Sequence, residues 1–365
     1  MFSTYSFLPA SKHSGFSMED YWVWCPSVAR DDDGRYHMFA SRWPKLIPFN
    51  PGWLTHSEVV RAVSDTAEGP YVFQEVVLPA RGPDYWDGSM THNPSIARAK
   101  DGTWLLYYTG TQKEHRKGVA ENTEAINLDK ISTDEREARA HRNQRIGLAT
   151  APEITGPWTR LNQPILEPRL DCWDSLMVTN PAPCVEADGS LLLLYKSVRY
   201  RGDKMHLGVC RAQDYHGPYQ RLSDEPILTF GGRDDVEDPF VWVEGGRYHS
   251  IMKDVKGGIG GHPGGGIYAQ SDDGVDWRLA QEVHAYSRTI RWQDGTRTVQ
   301  DFLERPGLIL GPDNRPRYFT AATATGSSSS RLLKRSWNVV IPISGAFMHD
   351  WGSETQDRPP RSPHA

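Results

Sequence analysis

The 365-residue sequence predicts an all-β protein, specifically a five-bladed β-propeller. Three observations carry that expectation. A strand–turn–strand unit opening on x-Pro recurs five times, at Pro26, Pro94, Pro181, Pro239 and Pro306. Two of those units share a longer frame, W-D-x-x-M-x-x-N-P, running Trp86–Pro94 and Trp173–Pro181. The composition (33 Gly, 26 Pro, 13 Trp and 15 Tyr) suits many short strands joined by tight turns and does not suit a helical bundle.

The units follow in order. The first, WCPSVARDDDGRYHMFASR, turns at D-G and continues into a second strand pair, VVRAVSDTAEGPYVFQEV. The second, NPSIARAKDGTWLLYYTGT, continues as IGLATAPEITGPWTRL after a highly charged insertion, Gln112–Gln144. That insertion makes the step from Pro94 to Pro181 the longest. It reads either as a solvated helical loop or as a pocket wall or dimer contact. The third unit is NPAPCVEADGSLLLLYKSV with LGVCRAQDYHGPYQRL. The fourth is EDPFVWVEGGRYHSIMKD with GIYAQSDDGVDWRLAQ, joined by GGIGGHPGGG (257–266), either a lid around His262 or a plain connector. The fifth, ERPGLILGPDNRPRYFTAAT, is completed by Trp337–Ser344, with a strand from segment 1–17 as the candidate to close it. One domain over 18–345 accounts for nearly the whole chain, and the polar, proline-rich end, 346–365, is expected to be a flexible tail.

Several classes are excluded. No run of about 18 apolar residues exists to cross a membrane as a helix. A net charge of −5 argues against a general nucleic-acid surface. The four cysteines, at 25, 172, 184 and 210, form no CxxC pair and no disulfide framework. The N-terminus shows no basic stretch followed by an apolar one, so a cytoplasmic location is expected, or a periplasmic or secreted one if a leader has been removed. The oligomeric state is open.

In a propeller the first strand of each blade lines the axis, and the second strand ends beside the first one's start. Five pairs therefore converge on one funnel: Trp24-Cys25, His92-Asn93, Thr179-Asn180, Glu237-Asp238 and Glu304-Arg305. The second strands end at Arg42, Thr109, Lys196, Lys253 and about Ala321. Strand alternation lets at most one of Glu237 and Asp238 look into the pocket.

This pattern resembles the five-bladed propeller glycoside hydrolases of family 43 and its relatives, families 32, 62, 117 and 130, over about residues 18–345. Val236-Glu237-Asp238-Pro239 is similar to the E-D-P element of family 130. Leu303-Glu304-Arg305-Pro306 places its Glu two before Pro, as family 43 places its general acid. The A-x-S…G-P-Y/W elements are also similar. The catalytic triad of family 43 is departed, because Cys25-Pro26 and Asn93-Pro94 stand where the resemblance implies Asp-Pro. No cofactor is expected from the residues, and the resemblance alone admits an axial calcium near a histidine.

Glycoside hydrolysis needs an acid for the leaving oxygen and a second carboxylate. Asp238, Glu237 and Glu304 are the suppliers, with Asp87 as a backup base. His92 is open to three roles: general acid, ligand of an axial cation, or satisfied core histidine. Asp87 and Asp174 hold the duplicated W-D position, which favours a structural role. Trp24, Trp86 and Trp173 are candidate stacking platforms, and Asn93 and Asn180 candidate polar contacts. Arg42, Lys196, Lys253 and Arg305 suit an acidic sugar, unless each simply pairs with a carboxylate. The expected activity is exo-acting hydrolysis of a plant or algal oligosaccharide, with a uronic acid as a candidate component. The alternatives are a uronate lyase using His92 and a cation, or a non-catalytic sugar-binding propeller.

Overall fold

The computed structural model describes residues 6–114, 134–232, 235–326 and 333–344. They form five four-stranded antiparallel sheets arranged as the blades of a propeller. Blade one is β2 (Tyr21–Arg30), β3 (Tyr36–Pro44), β4 (Glu58–Ser64) and β5 (Val72–Leu78), with helix α1 (Phe49–Thr55) between β3 and β4. Blade two is β6 (Met90–Arg98), β7 (Trp104–Thr111), β8 (Arg145–Ala151) and β9 (Thr159–Arg160), with helix α2 (Glu135–Arg142) between β7 and β8. Blade three is β10 (Met177–Val185), β11 (Leu191–Val198), β12 (His206–Ala212) and β13 (Gln220–Arg221). Blade four is β14 (Val236–Glu244), β15 (Arg247–Asp254), β16 (Gly265–Ser271) and β17 (Trp277–Tyr286). A small hairpin, β18 (Thr289–Arg291) and β19 (Arg297–Val299), leads to blade five: β20 (Phe302–Leu310), β21 (Pro316–Thr325) and β22 (Arg335–Ser344).

The fourth strand of blade five is β1 (Ser6–Phe7), which pairs with β22 and so joins the two ends of the described chain in one sheet. A ring closed this way leaves only short edges for wrong pairing. Five apolar clusters fill the five interfaces between neighbouring blades; Leu192 and Leu194 against Val241 and Met252, for example, join blades three and four. The D-G, G-G and D-N hairpins need left-handed residues, supplied by Gly34, Gly102, Gly189, the pair Gly245 and Gly246, and Asn314.

The five x-Pro starts share a geometry that positions the site. In β2, β6, β10, β14 and β20 the ladder slips register just there, for example between Glu237 and Phe240. Proline has no N–H to give to the ladder, and a bulge accommodates the missing bond. The residue before each proline (Cys25, Asn93, Asn180, Asp238, Arg305) takes a φ between +50° and +59°. A bulge re-aims side chains, so two consecutive residues can face the same way. The alternation expected for Glu237 and Asp238 therefore fails, and both line the axial cavity.

The segment Gly257–Gly266 is a connector rather than a lid. The N–H groups of Gly257, Ile259 and Gly260 donate to the Asp254 carboxylate, and His262 packs on His284 (4.5 Å between ring centres), away from the axial cavity. No helix among the described residues is long and apolar enough to cross a membrane. The expected tail, 346–365, lies outside the described residues, as do 115–133 of the insertion.

Candidate active site

One residue per blade meets at the axis in a hydrogen-bonded chain. The Cys25 thiol donates to Asn93 Oδ1 (2.9 Å), Asn93 Nδ2 donates to Asn180 Oδ1 (2.6 Å), and Asn180 Nδ2 donates to Asp238 Oδ1. Arg305 completes it with Nη1 to Asp238 Oδ1 (3.1 Å) and its backbone N–H to Oδ2 (3.1 Å). All five are the left-handed pre-proline residues, and all are buried. Burial pushes the Cys25 thiol up to about 12. The axial calcium that the resemblance alone admits does not fit these groups, because the Arg305 guanidinium occupies the position beside Asp238 that a cation would need.

Above this floor lies a cavity of about 380 Å³. Blades three to five give it a charged side. Lys196 Nζ donates to Glu237 Oε2 (2.9 Å), Lys253 Nζ donates to Glu237 Oε1 (2.9 Å), and Lys253 also donates to Glu304 Oε1. Burial alone would raise Glu237, yet Lys196 and Lys253 overcome it and hold the carboxyl well below the usual range. Glu304 goes the other way: burial raises it, Glu237 and Asp238 add to the rise, and Lys253 offsets only part of it. Lys253 itself does not line the cavity; its ammonium is spent on the two carboxylates, so its expected substrate contact is corrected.

Blades one and two give the cavity an aromatic side. Trp24 and Trp43 pack around Phe49 at 5.0 and 4.9 Å, and Trp43 and Trp53 flank His92 at 5.7 and 5.4 Å. His92 Nδ1 hydrogen-bonds with Ser57 Oγ (2.8 Å), and Nε2 sits 3.5 Å from Cys25 Sγ. Burial, reinforced by Arg305 and Lys196, pushes His92 well below its ordinary value, so the ring is neutral at pH 7. It is a satisfied buried histidine rather than a proton donor.

Four further expected site residues stand elsewhere. Arg42 pairs with Val23, one step out of register with the Trp24–Ser41 pair, and alternation turns it to the other face. There it bonds Glu58 (2.9 Å) and lies over the Tyr21 ring. Ser41 is the true equivalent of Thr109, each accepting the next blade's pre-proline N–H. Ala322, not Ala321, opposes Glu304. Asp87 is wholly buried and accepts from Arg81, Arg160 and Tyr108, which removes it as a backup base. Asp174 repeats the arrangement with Arg169, Arg221 and Tyr195. Trp86 and Trp173 stack on Tyr108 and Tyr195 and leave the cavity untouched. The duplicated W-D motif is therefore a structural clamp.

The described part of the insertion is a pocket wall, not a solvated loop. Asp134 caps α2 through the N–H groups of Arg136 and Glu137, Ala140 packs with Leu54 and Trp53 of α1, and His141 and Gln144 face the cavity. Burial, then Arg201 and Lys196, lower His141 to about 3. Sequence reasoning missed Trp43, Phe49 and Trp53, although three aromatics close together, at the end of β3 and in the α1 connection that follows it, were the available signal. Arg201 and Asp203 on the β11–β12 loop carried none.

No protein-family model matches the chain, and no curated protein does. Solved structures share the five-bladed fold. A family 117 glycoside hydrolase from the marine bacterium Zobellia galactanivorans superposes with a TM-score of 0.66 at 15% identity, covering 98% of this chain and 96% of its own. The catalytic domain of a family 62 α-L-arabinofuranosidase from Coprinopsis cinerea gives 0.59 at 13% identity, over 93% and 98%. A thermostable family 43 glycoside hydrolase gives 0.58 at 13%, over 96% and 99%. The chain therefore shares the propeller fold of glycoside hydrolase families 117, 62 and 43.

Proposed function

We propose that this protein is a glycoside hydrolase that removes sugars from the ends of a plant or algal oligosaccharide. One observation carries the reading. Two cavity-facing carboxylates share a single buried ammonium and have their proton affinities pushed apart, Glu304 upward and Glu237 downward. Such a split assigns an acid and an ionised partner. Glu304 protonates the leaving oxygen, and Glu237 faces the anomeric carbon. Asp238, engaged by Asn180 and Arg305, is the fixed negative charge that helps keep the proton on Glu304.

The aromatic side supports sugar stacking at Trp24 and Trp53. Exo action is supported by α1 and α2, which wall one side of the funnel. The acidic sugar has weaker support, because Lys196 and Arg305 already face Glu237 and Asp238. A screen of neutral and uronate-containing oligosaccharides, with E304Q and E237Q beside the parent, tests the proposal. Release of a terminal sugar that falls at least about 100-fold in each variant is expected. Undiminished turnover in both variants, or an unsaturated product absorbing in the far ultraviolet, overturns it.

A further inference from the structure

A row of residues runs straight across blade four from the cavity outward. Glu237 on β14 opposes Lys253 on β15, Lys253 opposes Gly266 on β16, and Gly266 opposes Tyr286 on β17. Directly opposed residues share one face of a sheet. Gly266 presents no side chain in this row, and the Tyr286 ring fills its place. A Cβ built on Gly266 would lie 1.9 Å from Tyr286 Cε1, which no real contact tolerates. The ring thus crosses over the glycine towards Lys253 and the carboxylates. Phe319 of blade five holds it from the other side (4.9 Å between ring centres).

Tyr286 is 2% exposed, and its hydroxyl has no hydrogen-bond partner among the described residues. Buried polar groups are nearly always paired, and each exception asks for a reason. The charged groups within its electrostatic reach are Asp238, Lys253, Glu304 and Glu237, and burial keeps the phenol protonated far above neutral pH. It is a donor that stays protonated within the field of Asp238, Glu304 and Glu237.

We propose that Tyr286 is a positioning residue of the carboxylate pair, its phenol being the donor that receives Glu304 once that side chain has given up its proton. The inference rests on the acid role assigned to Glu304 above. The step is a hydrogen bond alone: the proton of Glu304 goes to the leaving oxygen, and the resulting carboxylate accepts from Tyr286 O–H while Lys253 keeps its own bond. Bonds to the charged form favour that form. Tyr286 therefore lowers the cost of ionising Glu304 against Asp238 and Glu237, the two negative charges that oppose it.

The test is a carboxyl-carbon NMR titration of protein labelled at glutamate, with E304Q identifying the Glu304 resonance. In Y286F the Glu304 titration is expected to move up by about one pH unit. On any substrate the screen identifies, kcat is expected to fall about tenfold with KM little changed. A Glu304 titration within about 0.2 unit of the parent overturns the proposal, whatever happens to the melting temperature. Because the titration needs no turnover, a protein that cleaves no glycoside would refute the hydrolase reading and leave this result standing on its own.

Discussion

Replacing Asp238 by Asn probes the axial chain most directly. Asparagine has nearly the same shape and tolerates a left-handed backbone, so the +59° φ at this position adds little cost. The charge is what disappears. Arg305 is left with one neutral amide oxygen in place of the carboxylate that takes its Nη1 and backbone N–H at 3.1 Å each, and both side chains are at least nine-tenths buried. Breaking one side of a buried ion pair costs about 3–5 kcal/mol, since the remaining charge stays out of water. For a chain of this length that corresponds to a fall in Tm of about 4–7 °C. R305M should cost a similar amount, because it leaves the Asp238 carboxylate buried with Asn180. The double variant D238N/R305M should be more stable than the sum of the singles by about 2 kcal/mol, since no lone charge remains. Chemical denaturation at pH 7, followed by tryptophan fluorescence, measures all four proteins. Single-variant losses that add to within about 0.5 kcal/mol would falsify the view that the pair is a mutually dependent buried unit.

Other outcomes follow from the same geometry. Glu304 is raised above 4.5, so activity that depends on its proton should decline as pH rises through its folded value, with a descending limb above pH 4.5 in a kcat/KM profile. His92 is lowered from 6.5, so its neutral state contributes stability that is present above that value and lost as pH falls. The parent should therefore lose Tm below pH 6.5 more steeply than H92Q does. W43A removes a fully buried indole that supports both Phe49 and His92, and should cost about 3–5 kcal/mol in denaturant unfolding. W53A, by contrast, should raise KM for the identified sugar while leaving most of the stability in place.

Much of the architecture was legible in the linear chain because its signals are local and repeated. An x-Pro start, an apolar strand, a D-G turn and a second apolar strand each depend on neighbouring residues, and five repetitions turn weak signals into a blade count. The same repetition pointed to the pre-proline pairs, and His92, Asn93, Asn180, Glu237, Asp238, Glu304 and Arg305 do meet around one cavity. Arg42 went astray because strand ends are the least legible feature of a sequence: a one-residue slip reverses the face. Trp86, Trp173 and Asp87 went astray because a repeated motif marks whatever recurs, and here a buried Asp clamped by two arginines and a tyrosine recurs.

The sequence by itself determined the number of blades, their order and the five positions that reach the axis, since these follow from periodicity and from proline's missing N–H. Only the tertiary structure decided which side chains do chemistry together. The bulges turn both Glu237 and Asp238 inward, and Lys253 ties Glu237 of blade four to Glu304 of blade five. Helices far apart in the chain, α1 and α2, pack into one wall. Proton affinity depends on burial and on charges a few ångströms away, and those distances exist only once five separate stretches of chain have closed into a ring.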